Sequence, residues 1–198
     1  MKILFIHPDD PSLELTWSRT PSQLAVEFRK NGHEVCFVKT KPSGGVLNFF
    51  LLVTRYITRH DYTYSMLFRK IAAIKIKKAI KLNQPSVLLH FGTTANVTFL
   101  NSSIPSYLYC DYSWNLLNTF GAEYYNPRPP KWKIKIIDEI AKKDYKKFSA
   151  IFCQSNFVKD NLFLHYGVPA SKLILTRVGI RFTEKDVQTS NRDPKLNL

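Results

Sequence analysis

The feature that most constrains this chain is an alternation of short apolar runs with longer segments of helical spacing. Lys2–His7 (KILFIH), Glu34–Lys39 (EVCFVK), Ser86–Phe91 (SVLLHF), Ser106–Cys110 (SYLYC), Ala150–Gln154 (AIFCQ) and Lys172–Thr176 each read as a strand. Continuous apolar runs separated by helices argue for a parallel sheet covered on both faces, an α/β fold. Helices are expected over Pro21–Asn31, Leu47–Arg59, Tyr64–Leu82 and Lys131–Phe148, with a short one over Thr94–Leu100. In the long late helix Ile134, Ile137, Ala141, Tyr145 and Phe148 fall on one face. Ser155 caps a further helix that runs to about Tyr166 and is closed by Gly167 and Pro169.

The first helix carries the clearest start signal. In WSRTPSQLA, Thr20 reads as the N-cap, Pro21 suits the first helical position, and Gln23 sits where a capping box wants Glu or Gln. Gly32 fits the position just past its end. A helix start exposes unpaired N–H groups and attracts anions. Arg19 would strengthen that tendency; the alternative is a solvated loop arginine beside a tryptophan packed on the core.

In sheets of this kind ligands bind at the carboxyl ends of the strands. That rule selects the residues after His7, Phe91, Cys110 and Gln154: Trp17, Ser18, Arg19 and Thr20; Thr93 and Thr94 within GTTAN; Asp111 within CDYSWN; and Ser155. Such an edge suits a sugar or a phosphorylated sugar. Aromatic rings stack on it, a carboxylate binds its hydroxyls, and helix starts take a phosphate. Asp111 can act as a general base toward an acceptor hydroxyl, or be a plain turn or cap residue. His7 and His90 are either edge ligands or imidazoles bonded to backbone at strand ends.

Composition narrows the partners. A formal net charge of +14 on 198 residues favours anionic partners: phosphorylated small molecules, acidic lipid headgroups or nucleic acid. Nucleic acid ranks last, because no recognisable binding motif accompanies the charge. Arg55 to Asn83 holds eight Lys/Arg against the single acid Asp61, with Lys70, Lys77 and Lys81 clustered on a helical wheel and Lys75 and Lys78 among apolar residues. This stretch is either an anionic-membrane surface or a solvated helix face. Cys36, Cys110 and Cys153 form no CxxC pair, so free thiols in a reducing compartment are expected. The opening is too short for a signal peptide, and the apolar run before Arg55 has about ten residues, too few to span a bilayer. A chain in the cytosol or on a membrane face is expected. There is no GxGxxG, P-loop, GxSxG elbow or metal-ligand spacing, so no cofactor and no metal are expected.

The segments MKILFIHP, WSRTP…LAVEFRKNGHEV, PSVLLHFGTTAN, IPSYLYCDYSW and IFCQSNFVKDNLFLHYGVPASKL…VGI together resemble the N-terminal half of family 4 glycosyltransferases. The resemblance implies a Rossmann-like domain, the acceptor side of a retaining GT-B enzyme whose two domains face across a cleft. It implies a nucleotide-sugar donor and a glycan, lipid-linked or small-molecule acceptor, often at the cytosolic membrane face. Residues 1–182 would be that domain. Residues 183–198 would be a linker and the start of a C-terminal donor-binding domain, without which the chain would not transfer sugar. WSRTP and CDYSW are similar to two of the family's cleft segments, which implies a catalytic role for Asp111. It also implies donor-phosphate or acceptor contacts for Trp17, Ser18, Arg19, Thr20, His90, Thr93, Thr94 and Ser155. Arg19 stands where the family usually has glycine, and Cys110 where many members have a histidine. The reading from a different class is a non-catalytic module that binds an anionic glycan, a lipid or a partner subunit.

Overall fold

The computed structural model describes residues 1–13, 16–41, 65–92, 97–120 and 131–176, with the single positions 45, 49 and 53. Six strands, β1 (Lys2–His7), β2 (Glu34–Lys39), β3 (Val87–Phe91), β4 (Ser106–Cys110), β5 (Ala150–Cys153) and β6 (Leu173–Leu175), form one sheet in the order β2-β1-β3-β4-β5-β6. Every neighbouring pair is parallel. The architecture is therefore the expected Rossmann-like α/β sheet.

Parity along the strands divides the core in two. Leu4, Ile6, Leu88, Leu108, Cys110, Ile151 and Cys153 point to one face, where they meet Ile76 of helix α2 (Met66–Asn83), Ile137, Ala141 and Tyr145 of α4 (Lys131–Lys147) and Val158 and Leu162 of α5 (Asn156–Leu164). Ile3, Phe5, Val35, Leu89 and Phe91 point to the other, against Ala25 and Phe28 of α1 (Thr20–Lys30). A strand buried on both sides has no polar face to display, which is why its sequence reads as an unbroken apolar run.

The helix ends follow their local chemistry. Past α1, the Gly32 amide donates to the Arg29 carbonyl (3.0 Å) and the His33 amide to the Phe28 carbonyl (3.0 Å), a Schellman closure made possible by Gly32 at φ +75°. Ser65 and Ser155 cap α2 and α5, their hydroxyls accepting from the amides of Phe68 (3.1 Å) and Val158 (3.3 Å).

Three expectations change. Thr20 is not an N-cap but the first residue of α1; the cap position is Arg19, with no side-chain cap bond, so Gln23 completes no capping box. A short 3-10 turn over Thr16–Arg19 precedes α1 and takes over the entry geometry. Of the short helix expected over Thr94–Leu100, residues 94–96 lie outside the described residues, and residues 97–99 form a turn, with the Leu100 amide on the Val97 carbonyl (3.1 Å). Lys147 Nζ donates to the carbonyls of Val97 (3.3 Å) and Thr98 (3.0 Å), supplying the partners a continued helix would have given. Finally, Lys78 does not sit among packed residues, because its neighbour Ile74 is itself exposed. Lys75 is partly covered, its ammonium donating to the Lys41 carbonyl (2.8 Å). The helix expected over Leu47–Arg59 lies outside the described residues except at positions 49 and 53.

Candidate functional site

The chain leaves β1 toward β2 on one side, and β3 to β6 follow on the other. The carboxyl ends of β1 and β3 therefore flank the topological switch point, where an open parallel sheet offers a crevice. Gly92, at φ +97°, turns the chain out of β3 there, its amide donating to the Tyr109 carbonyl at 3.0 Å.

Trp17 closes over this point. Its indole Nε1–H donates to Asp111 Oδ2 at 3.1 Å, joining the loop after β1 to the end of β4 across β3. The ring meets Tyr109 and Phe91 edge-on, at centroid distances of 5.6 and 5.9 Å, and stacks loosely on His7 at 6.4 Å. Trp17 holds φ +48°, an uncommon backbone state that sets this direction.

Asp111 is half-buried. Burial is the main influence and raises its carboxyl above the ordinary range, while the Trp17 indole, the amides of Asp111 and Tyr112 and the nearby His7 pull the other way. Burial likewise holds the His7 imidazole below its usual value. The Asp9 amide donates to His7 Nδ1 at 3.0 Å, which leaves the neutral ring's proton on Nε2. The segment after Asp111 is rigidly seated. The Trp114 amide donates to the Tyr145 hydroxyl (3.1 Å), and the Asn115 amide to the Tyr166 hydroxyl (2.7 Å). The Ser113 hydroxyl donates to Asn161 Oδ1 (2.6 Å). Helices α4 and α5 thereby fix the start of α3 (Trp114–Phe120) and with it the carboxylate.

The other candidates separate. Ser155 stands at the end of β5 and is used by its own helix cap. Thr93 and Thr94 lie outside the described residues, as does the side chain of Ser18. His90 lies one residue before the end of β3 but on the opposite face from Phe91, 1% exposed, its ring edge-on to Phe148 at 5.4 Å. Burial drives its pKa down to about 3, so it is a neutral core group away from the crevice. Arg19 turns toward β2: it lines a cavity with residues of α1, Phe37 and Ser12, none of them from β3 or β4. His7, left open by the sequence between an edge ligand and an imidazole bonded to backbone, joins the cluster while accepting from the Asp9 amide, and Tyr109 joins it although sequence reasoning did not single it out. The parity of SYLYC, which puts Tyr109 on the face of Phe91, was the available signal for the second. Among the described residues no group of three His, Cys, Asp or Glu could hold a metal.

Arg19 adopts φ +66°, the left-handed state that glycine enters freely. An L-residue there costs about 1–2 kcal/mol, and glycine's extra unfolded-state entropy costs roughly 0.5–1 kcal/mol. Arg19→Gly is therefore expected to raise stability by up to about 1 kcal/mol, or roughly 2–4 °C in Tm. A fall in Tm would mean that contacts of the arginine outweigh its backbone strain.

A six-stranded parallel sheet packed on both faces, in this strand order, is a Rossmann-like α/β domain. The Glycosyltransferase Family 4 profile matches residues 18–182, and the chain belongs to that family. A search of curated proteins finds no match. Among solved structures, the chain is similar to UDP-N-acetylglucosamine 2-epimerase from Rickettsia bellii (16% identity, TM-score 0.49, covering 89% of this chain and 44% of that one). It is also similar to UDP-GlcNAc 2-epimerase from Neisseria meningitidis bound to UDP-GlcNAc (16%, TM-score 0.48, 89% and 46%). A third is Glycyrrhiza uralensis UGT73P12 complexed with glycyrrhetinic acid 3-O-monoglucuronide (9%, TM-score 0.46, 90% and 48%). The chain spans less than half the length of each of these structures.

Proposed function

We propose that this chain is the acceptor-binding domain of a retaining glycosyltransferase, with the acceptor hydroxyl received at Asp111. The observation that supports this most directly is the Trp17–Asp111 hydrogen bond over the switch point. It presents a carboxylate on a seated backbone, beside aromatic rings that a sugar can stack against. In the reaction the acceptor O–H gives its proton to the Asp111 carboxylate as its oxygen bonds the donor's anomeric carbon on the same face that the phosphate leaves, which retains the configuration. The bond from that carbon to the leaving phosphate breaks, and the nucleoside diphosphate departs with the electron pair. The donor is a nucleotide sugar held mainly by a second Rossmann-like domain of the whole enzyme, and residues 1–182 alone do not transfer. The test is an assay of hydrolysis and transfer over a panel of nucleotide sugars, by the 198-residue chain and by the complete product of its reading frame. Activity confined to the complete product is the expected result. Activity of the 198-residue chain overturns the division of labour, and inactivity of both favours a binding module.

The same reading places the acceptor at an anionic membrane surface. On α2, Leu67, Lys70, Ile74, Lys77, Lys78 and Lys81 are all exposed, interleaving two apolar side chains with four ammonium groups. Such a face gains from anionic headgroups and from shallow apolar insertion. Among the described residues no helix is long and apolar enough to cross a membrane. Sedimentation with anionic vesicles at low salt is expected to exceed that with neutral vesicles, and the double variant Lys77→Glu, Lys81→Glu is expected to abolish the difference. Equal sedimentation with both vesicle types by the unmodified chain would sink the idea.

A further inference from the structure

We infer that the outward side of α4 is a second contact with an anionic membrane, with Trp132 and Ile136 entering the bilayer surface among the lipid headgroups. The inference rests on the reading that this domain works at such a surface, and it names the side chains that go into it.

Trp132 is 66% exposed and Ile136 is 51% exposed. They lie one turn apart on α4, on the side away from Ile137, Ala141 and Tyr145, which pack in the core. A bare indole stands out in this chain. Trp114 is 2% exposed, and Trp17 is held in the cluster at Asp111. The outward side continues at helical spacing through Lys135, Lys142, Lys143 and Lys146, all exposed.

The helix also separates its charges. Of its three acids, Asp144 is buried against Arg69 (2.6 Å). Asp138 turns to α5, where it accepts from the Tyr166 hydroxyl (2.7 Å) and meets His165 Nε2 (2.9 Å). Of the acids of α4, Glu139 alone shares the outward side with the lysines. The Arg69 contact also ties α4 to α2 on one face of the sheet, so the exposed sides of both helices look away from that same face.

A convex surface of this kind fits a plane better than a polymer strand. Its ammonium groups attract anionic headgroups, and an indole favours the headgroup level, where its ring is covered and its N–H stays wet. A single-stranded nucleic acid would call for a groove and for flat rings to stack on, and Ile136 offers no ring.

The test is tryptophan fluorescence of the 198-residue chain at low salt. The vesicles are phosphatidylcholine alone or mixed with phosphatidylglycerol, with some lipid brominated on its upper acyl carbons to quench an indole at that depth. Anionic vesicles are expected to shift the emission to the blue and to quench it, and neutral vesicles to do neither. Trp132→Phe is expected to lose the quenching, since Trp17 and Trp114 stay within the fold. Lys135→Glu with Lys142→Glu is expected to weaken partition about 30-fold or more, each lost charge counting about fivefold. All three positions are exposed, so Tm should move by no more than about 2 °C.

A chain that sediments with anionic vesicles but stays unquenched overturns the inference and leaves α2 as the contact. No association with anionic vesicles removes the membrane reading itself, and the inference with it. Quenching of Trp132 that survives Lys77→Glu with Lys81→Glu supports α4 and counts against α2. Quenching that persists in Trp132→Phe, or an equal blue shift with a single-stranded oligonucleotide, overturns the assignment. So does self-association of the lipid-free chain that Trp132→Phe abolishes, which would make the face a contact between copies.

Discussion

Asp144→Ala is expected to cost about 3–5 kcal/mol, which for a domain of this size lowers Tm by roughly 6–20 °C. Asp144 and Arg69 are almost fully buried, at 0% and 3% exposure. Arg69 Nη1 donates to Asp144 Oδ2 (2.6 Å) and to the Thr98 hydroxyl (2.8 Å), and the Thr98 hydroxyl donates to the same carboxylate oxygen (2.5 Å). Burial is the main influence on the Asp144 carboxyl and raises it, against the pull of Thr98, Arg69 and Lys147. Desolvation therefore weighs heavily on the pair, and the penalty appears when one partner is removed and the other charge stays buried. Arg69→Leu should cost a similar amount. The double change Arg69→Leu, Asp144→Leu should recover most of the loss, because two apolar groups leave no uncompensated charge. Thermal unfolding of the three variants decides the matter. Single variants within about 0.5 kcal/mol of the parent would mean the pair is hydrated in solution.

The sheet was legible because burial on both faces erases polarity from its inner strands and the edge strands stay apolar as well, although Ile174 and Leu175 of β6 are exposed, and the six runs needed little more than trimming at their ends. Helix ends were legible where one residue does the work, as at Gly32 and Ser155. The start of α1 misled for a physical reason: Thr20-Pro21-x-Gln23 carries the composition of a capped start, but the left-handed Arg19 places the turn one residue earlier. Arg69 was hidden among lysines of a basic stretch. What buries it is Asp144, 75 positions away, and no local period reports such a pairing. The core of the candidate site was hidden in the same manner. Trp17 and Asp111 each stood out by position after a strand, but their hydrogen bond spans 94 residues and follows from the strand order, which the sequence alone does not supply. His90 could have been placed better: it shares parity with Leu88, and hence the far face, while Phe91 takes the side of Trp17.

Under the transferase reading, Asp111→Asn is expected to lower kcat about 10²-fold or more in the complete enzyme, the usual contribution of a positioned proton acceptor. Asparagine keeps the shape and can still accept from the Trp17 indole, so stability should hardly change and the loss would be chemical. The pH dependence carries the finer test. The carboxylate must be ionised to receive a proton, and burial raises its pKa, so the acidic limb of kcat/KM should lie above the ordinary carboxylate value of about 3.9. Trp17→Phe keeps an aromatic ring against Phe91 and Tyr109 but removes the N–H that favours the charged form. That loss raises the Asp111 pKa further, so the limb should move to higher pH while the rate at high pH is largely retained. A variant that lost activity equally at every pH would assign Trp17 a packing role only. If Asp111→Asn kept both its rate and the acidic limb, the proton would go elsewhere, and His7, neutral and beside the same carboxylate, would be the next residue to replace.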